Sequence, residues 1–259
     1  MTSQVPSITS ARRYIDFLRA RANRPDLADM PRCCVISYVD DISALLRARH
    51  PFRSMSLGIT NPMQVQVFKP ESAAAFAVAR GMHGAPMAAV QMEELIALGC
   101  HEFLIIGPAG HPTGGPEAGL GLGDLVLATK ALISEGTSPH YGRKTAVAPS
   151  PGAVDRLATV LHRLELPHRQ GVVASTDALY RETPPFISSL LEQGVLAIDM
   201  ELSALCTVAA FHRRSIAGVL FVSDLVRLRG PWEIAPPMRV YARLVRQLCG
   251  IASAYAALT

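Results

Sequence analysis

Long apolar runs are missing from these 259 residues, and no window reaches the ~18 consecutive apolar positions that a membrane-spanning helix needs. The opening stretch, MTSQVPSITSARRYIDFLRARANRP, has no apolar core of the kind a signal peptide carries. A cytoplasmic protein without a membrane partner is therefore expected. Charge is sparse, at 18% Asp, Glu, Lys and Arg, and a net formal charge of +4 is too mild to imply a nucleic-acid face. Aromatic residues make up only 6%, with a single tryptophan, Trp232. The five cysteines (Cys33, Cys34, Cys100, Cys206, Cys249) include no C-x-x-C pair, and most sit inside apolar runs. Buried reduced thiols are expected in place of disulfides or zinc. The eight histidines show no H-E-x-x-H or comparable ligand spacing, so neither a structural metal nor a cofactor is expected. The Gly-rich stretch 114–123 (GGPEAGLGLG) lacks the G-x-G-x-x-G order and precedes a strand, which speaks against a dinucleotide.

Apolar residues are what the chain has in quantity. At 49% hydrophobic content a sizeable core is expected. From residue 33 onward short apolar runs alternate with helical segments, which predicts a single three-layer α/β domain whose central mixed sheet carries helices on both faces. Residues 10–22 read as an amphipathic helix capped by Ser10, with Tyr14, Phe17, Leu18 and Arg21 on one face. Together with a Pro- and Asp-rich linker to Pro31 it forms an N-terminal helical extension (1–31) ahead of the main domain (32–259). Strands are expected at Cys33–Val39, Gln64–Phe68, Ala74–Ala79, Glu102–Gly107 and Gly171–Ser175. Helices are expected at Met87–Leu98, Pro151–Leu164 and Met238–Ala257, and residues 142–151 read as a surface loop.

The densest chemistry lies between Gly194 and Asp224 (GVLAIDMELSALCTVAAFHRRSIAGVLFVSD). A buried strand (Val195–Ile198), an acidic corner, an apolar helix (Leu202–Phe211) and a second strand ending at Ser223-Asp224 together read as a βαβ unit. Such units hold ligands at the carboxyl ends of their strands. Glu201 and Asp224 both fall there, so two carboxylates are expected in one pocket. Each also has a plainer reading: Glu201 as a helix N-cap favoured by the dipole, Asp224 as the opening of a loop.

The run Ala197–Leu205 (A-I-D-M-E-L-S-A-L), followed by Phe221-Val222-Ser223-Asp224, resembles the signature of the nucleoside phosphorylase family, which includes purine nucleoside and uridine phosphorylases and related nucleosidases. Supporting segments are G-M-H-G-A-P (81–86), G-D-L-V (123–126), E-G-T-S (135–138) and T-D-A-L-Y (176–180), so the likeness spans nearly the whole chain. The resemblance implies that Met200 and Glu201 hold the ribose and that Asp224, with Ser223 beside it, protonates the departing base. It implies further that Leu179 touches the base, Tyr180 lies near the ribose, and Gly107 keeps a backbone turn. Arg239 would support Asp224, His83 is a turn residue able to face the substrate, and a homo-oligomer is expected.

The likeness breaks at phosphate. Where the family has a Gly, two Arg and a Thr or Ser for that anion, this chain reads Tyr38, Ile42, Ile105 and Pro108, none of them cationic. The Gln and Arg of uridine-specific members are replaced by Arg181-Glu182-Thr183-Pro184. The expected function is therefore cleavage of the N-glycosidic bond of a purine-type nucleoside, with water favoured over phosphate as acceptor. Asp41 is the first candidate to activate that water and Asp40 the second. Two alternatives stay open: phosphorolysis with the anion held elsewhere, by Arg53 or an arginine of a partner, and a member that binds a nucleoside-like ligand without cleaving it.

Overall fold

The computed structural model describes residues 7–21, 27, 30–57, 63–71, 73–114 and 119–259. In chain order the elements are α1 (Ala11–Arg21), β1 (Cys33–Ser37), α2 (Asp40–Arg47), β2 (Phe52–Leu57), β3 (Met63–Phe68), β4 (Phe76–Arg80) and α3 (Ala85–Ala97). There follow β5 (Glu102–Thr113), β6 (Leu125–Ser134), β7 (Ala146–Val147), α4 (Pro151–Arg163), β8 (His168–Thr176) and α5 (Pro184–Glu192). The chain closes with β9 (Val195–Asp199), α6 (Leu202–His212), β10 (Ser215–Arg227), β11 (Glu233–Ile234) and α7 (Met238–Ala256).

One mixed sheet runs β11-β10-β6-β8-β9-β5-β1-β4-β3-β2, with a further pairing of β10 to β5. That extra pairing closes β5, β10, β6, β8 and β9 into a ring, while β1 to β4 extend from it as an open wing. Helices cover both faces, as the alternation of segments predicts. On one side α1, α3 and α6 bury Ile15, Leu18, Met92, Leu95, Leu202 and Leu205. On the other α2, α4 and α7 bury Ile42, Leu46, Leu157, Leu161, Leu248 and Tyr255. All five cysteines are buried and unbridged.

Several expectations need correction. In α1 the core-facing residues are Ile15 and Leu18, and Phe17 is exposed. Most of the linker between Asn23 and Pro31 lies outside the described residues, but Leu27 and Met30 are buried. The strands β2, β7 and β11 and the helix α5 were not anticipated, and β7 falls inside the expected surface loop. The larger correction concerns β9 and β10. They do not pair with each other, because β5 stands between them: antiparallel to β9 at Gly110↔Ile198, parallel to β10 along its whole length. Asp224 therefore lies inside a strand, not at the end of an adjacent one. Both β5 and β10 run further than Pro108 and Asp224 suggest. The Ile106 carbonyl accepts from Tyr38 N–H at 2.9 Å, so even-numbered residues of β5 face β1. Pairing with β1 stops at Ser37↔Ile106, and the missing N–H of Pro108 points to a side that β1 has already left.

Candidate active site

Glu201 stands at the start of α6, yet its side chain caps nothing. Asp199 does that work: its Oδ2 accepts from the N–H groups of Leu202 (2.7 Å) and Glu201 (3.2 Å), and its Oδ1 from the Ser175 hydroxyl (2.5 Å). The Ser175 oxygen in turn accepts from Ser203 N–H at 2.9 Å. Glu135 secures the same helix, accepting from Ser203 Oγ (3.0 Å) and from the N–H groups of Thr137 (2.5 Å) and Ser138 (3.0 Å). The E-G-T-S segment is thus a clamp on α6. With its orphan donors satisfied, the helix leaves the Glu201 carboxylate free to face the site. Glu201 is buried and accepts one hydrogen bond, 2.6 Å from the N–H of Gly84. Gly84 sits at φ +85°, a conformation that glycine adopts at little cost and that aims this N–H at the acid. Burial and the nearby Asp199 push the Glu201 carboxyl up to about 7, and burial lifts Asp199 to about 6.

Asp224 is also buried, and it is held at both oxygens. The Ser223 hydroxyl donates to Oδ1 at 2.7 Å and the Trp232 indole N–H to Oδ2 at 2.8 Å. Trp232 reaches it from a strap, residues 228–237, that folds back on β10 through β11, pairing Ile234 with Asp224. The expected support from Arg239 is thus supplied by the lone tryptophan. The ladder between β10 and β5 shifts register between Val222 and Asp224, so Ser223 is the extra residue of a bulge that re-aims the strand. Gly110 stands opposite Asp224 on one side and Ile198 on the other. It is the point through which β5 relates the two acidic segments. A Cβ at Gly110 would fall 3.1 Å from Asp224 Oδ2 and 3.1 Å from Val226 Cγ2, tighter than a comfortable contact.

A cavity of about 320 Å³ has a wall that includes Tyr38, Asp40, Asp41, Arg80, His83 and Tyr241; neither Glu201 nor Asp224 lines it. Tyr38 is the shared partition: it lines the cavity, and burial together with the charges of Glu201 and Asp199 raises its phenol well above the usual range. Its ring lies over Gly81 and Gly107, where added Cβ atoms would fall 2.5 and 3.2 Å from it. The Gly81 N–H is already bound to Ser37 O at 2.8 Å. The place where a phosphate would meet backbone donors holds an aromatic ring and a used N–H. The one arginine on the wall, Arg80, pairs with Asp40 at 2.9 Å, and Asp41 accepts from the Tyr241 hydroxyl at 3.1 Å.

Residues 64–257, three quarters of the chain, match the family described as the Phosphorylase superfamily. The chain belongs to the Phosphorylase superfamily. Among similar proteins are a guanosine phosphorylase of Halorubrum lacusprofundi, 33% identical over 51% of this chain and 52% of its own length, and a uridine phosphorylase of Treponema pallidum, 30% identical over 54% and 57%. A DeoD-type purine nucleoside phosphorylase of Roseobacter denitrificans is 28% identical over 54% of this chain and 60% of its own. The chain thus spans about half the length of the curated relatives it matches.

For this superfamily member the other anticipated residues divide by position. Met200 is half-buried in the corner beside Glu201, and Ser223 touches Asp224 directly. Gly107 lies beneath Tyr38 and offers no open face. Leu179 and Tyr180 occupy a short 3-10 turn, where Tyr180 is 84% exposed. Ile105 is buried in the core, and Arg53 sits on β2 opposite Val67, outside the cavity wall. His83 does line the cavity, its ring 5.5 Å from that of Tyr38. Four residues were not foreseen: Asp199, Trp232, Arg80 and Glu182. Only Asp199 had a signal in the sequence, as an acid three residues before a helix start.

Proposed function

We propose that this chain cleaves the N-glycosidic bond of a purine-type nucleoside and that water is the acceptor. Glu201 carries the reading. A buried carboxylate that neither caps its helix nor meets a cation suits a ligand with two vicinal hydroxyl donors, as ribose has. In the reaction the C1′–N bond breaks and its electron pair leaves with the base, which takes a proton from Asp224. The water oxygen bonds to C1′ through an oxocarbenium-like state, and Asp41 on the cavity wall takes the water's proton.

Charge and space favour water. The cavity wall carries two carboxylates, Asp40 and Asp41, against one guanidinium, Arg80. A phosphate dianion entering there would meet net negative charge, and leaving it unpaired would cost several kcal/mol. Phosphorolysis is the second reading, and Arg80 is the observation in its favour. Turnover of adenosine, inosine and uridine with and without phosphate separates the two. Free ribose at a rate indifferent to phosphate is the expected product. Ribose 1-phosphate, formed at a rate that saturates with phosphate, would restore the phosphorylase reading. Nucleoside binding with no product under either condition would mark a member that binds without cleaving.

A further inference from the structure

On the face of the sheet opposite α6, helix α7 carries Arg239, Arg243 and Arg246 and no acidic residue along Met238–Ala256. All three arginines are exposed. Among the described residues none of them makes a hydrogen bond or an ion pair. Spacings of four and three positions set these like charges beside one another, which destabilises a helix. A helix that merely faces water interleaves both signs at such spacings. The stripe is a local cost for which the fold shows no return.

Arg243 and Arg246 flank a groove of about 260 Å³ whose other walls are Gln247, Gly250 and, from the turn after α4, Leu164 and Leu166. Leu166 packs against the core, while Leu164 is 38% exposed. Glu165, the acid of that turn, is exposed and does not line the groove. Glycine inside a helix is less favourable than alanine, and packing does not require it at position 250. A Cβ there would meet Leu164 Cδ1 at 3.8 Å, an ordinary contact. The missing side chain keeps the groove open.

These features select an occupant. Apolar surface between two guanidiniums suits an apolar side chain with carboxylates on either side of it, because the arginine fork takes a carboxylate in a bidentate pair. Cavities that enclose a whole small molecule hold roughly 300–1,000 Å³, so a groove of this size fits one side chain of an extended segment better. Nucleic acid finds no aromatic ring among the lining residues on which to stack a base. A membrane surface needs an apolar helix face to insert, and that of α7, with Leu244, Leu248 and Ile251, is buried in the core.

We propose that the groove between α7 and the turn after α4 docks an acidic segment of a partner protein. One apolar side chain enters beside Leu164 and Leu166, and neighbouring carboxylates pair with Arg243 and Arg246. The site lies across the sheet from Glu201 and is independent of the reaction proposed above.

A fluorescein-labelled peptide with one leucine between two pairs of glutamates tests this by anisotropy on the full chain. It should bind, and replacing its leucine with alanine should weaken binding about tenfold. Arg243→Glu combined with Arg246→Glu should weaken it about tenfold or more, and so should Gly250→Leu, which fills the groove. The arginines are exposed, and leucine is a better helix former than glycine, so these variants remain folded, as circular dichroism will show. No binding of the peptide, equal binding of its alanine form, or unchanged binding in either variant would each overturn the proposal. Tighter binding of single-stranded RNA or of phosphatidylserine vesicles than of the peptide would overturn it too, by assigning the stripe to phosphate.

Discussion

Glu201 shows how a single carboxylate acquires a role from what its neighbours do. Because Asp199 satisfies the first N–H groups of α6, the charge on Glu201 is not needed as a cap; its one bond is to the Gly84 N–H, and burying it costs free energy. Its carboxyl titrates at about 7 in the folded protein, against 4.5 for an ordinary glutamate. A raised folded value means a stability contribution that is complete below pH 4.5 and is lost as pH rises through about 7. Asp199 and Glu182 are raised as well and act in the same direction. Urea denaturation should therefore show the protein more stable at about pH 5 than at about pH 8, and Glu201→Gln should shrink that difference by roughly 2 kcal/mol. An unchanged pH profile in the variant would show that Glu201 is not buried as described. The same substitution should weaken nucleoside binding, since one of two acceptor oxygens becomes a donor, and a variant with full affinity would end the ribose-clamp role. Glu201 and Asp224 were legible in the sequence because each belongs to a short motif whose members are neighbours along the chain. Trp232 was not, because its significance lies in a hydrogen bond to Asp224 across a gap of 8 positions that no local pattern announces.

At the level of elements, the alternation of apolar runs and helices was enough for three layers and a mixed sheet. It could not show that the sheet closes on itself. Hydrophobic periodicity reports that a strand is buried but not which strand lies beside it, and a strand–helix–strand order invites the reading of adjacent parallel neighbours. Here β5 separates them, and its length was masked by two prolines, Pro108 and Pro112, whose missing N–H groups normally end a central strand. That intervening strand makes Gly110 a site determinant although it carries no functional group. Gly110→Ala should push Asp224 by a few tenths of an ångström and lower kcat/KM about tenfold while the far-ultraviolet circular dichroism stays unchanged. Full activity in this variant would mean that the placement of Asp224 against β5 is unimportant to the reaction.

For the whole molecule, the distribution of apolar surface argues for self-association. The core is well covered, yet large apolar side chains remain exposed on the turn before Glu182 and on the strap that pairs with Asp224. Leu179 and Tyr180 lie in the turn just before Glu182, and Trp232 and Ile234 ride on the strap that pairs with Asp224. Met238 follows at the start of α7, 77% exposed. Scattered exposed apolar residues are ordinary, but a cluster of them at the mouth of a polar site marks a surface that a partner or ligand covers. A single small nucleoside cannot cover side chains on both the turn and the strap. A second copy of the chain can. Light scattering should therefore return a multiple of 27.8 kDa, and activity per chain should fall on dilution as the assembly dissociates. Tyr180→Asp combined with Ile234→Asp places two charges on this rim, which should produce the monomer and lower turnover together. A monomeric mass for the unaltered protein, with activity per chain independent of concentration, would leave the rim without a partner and rule out this account of it.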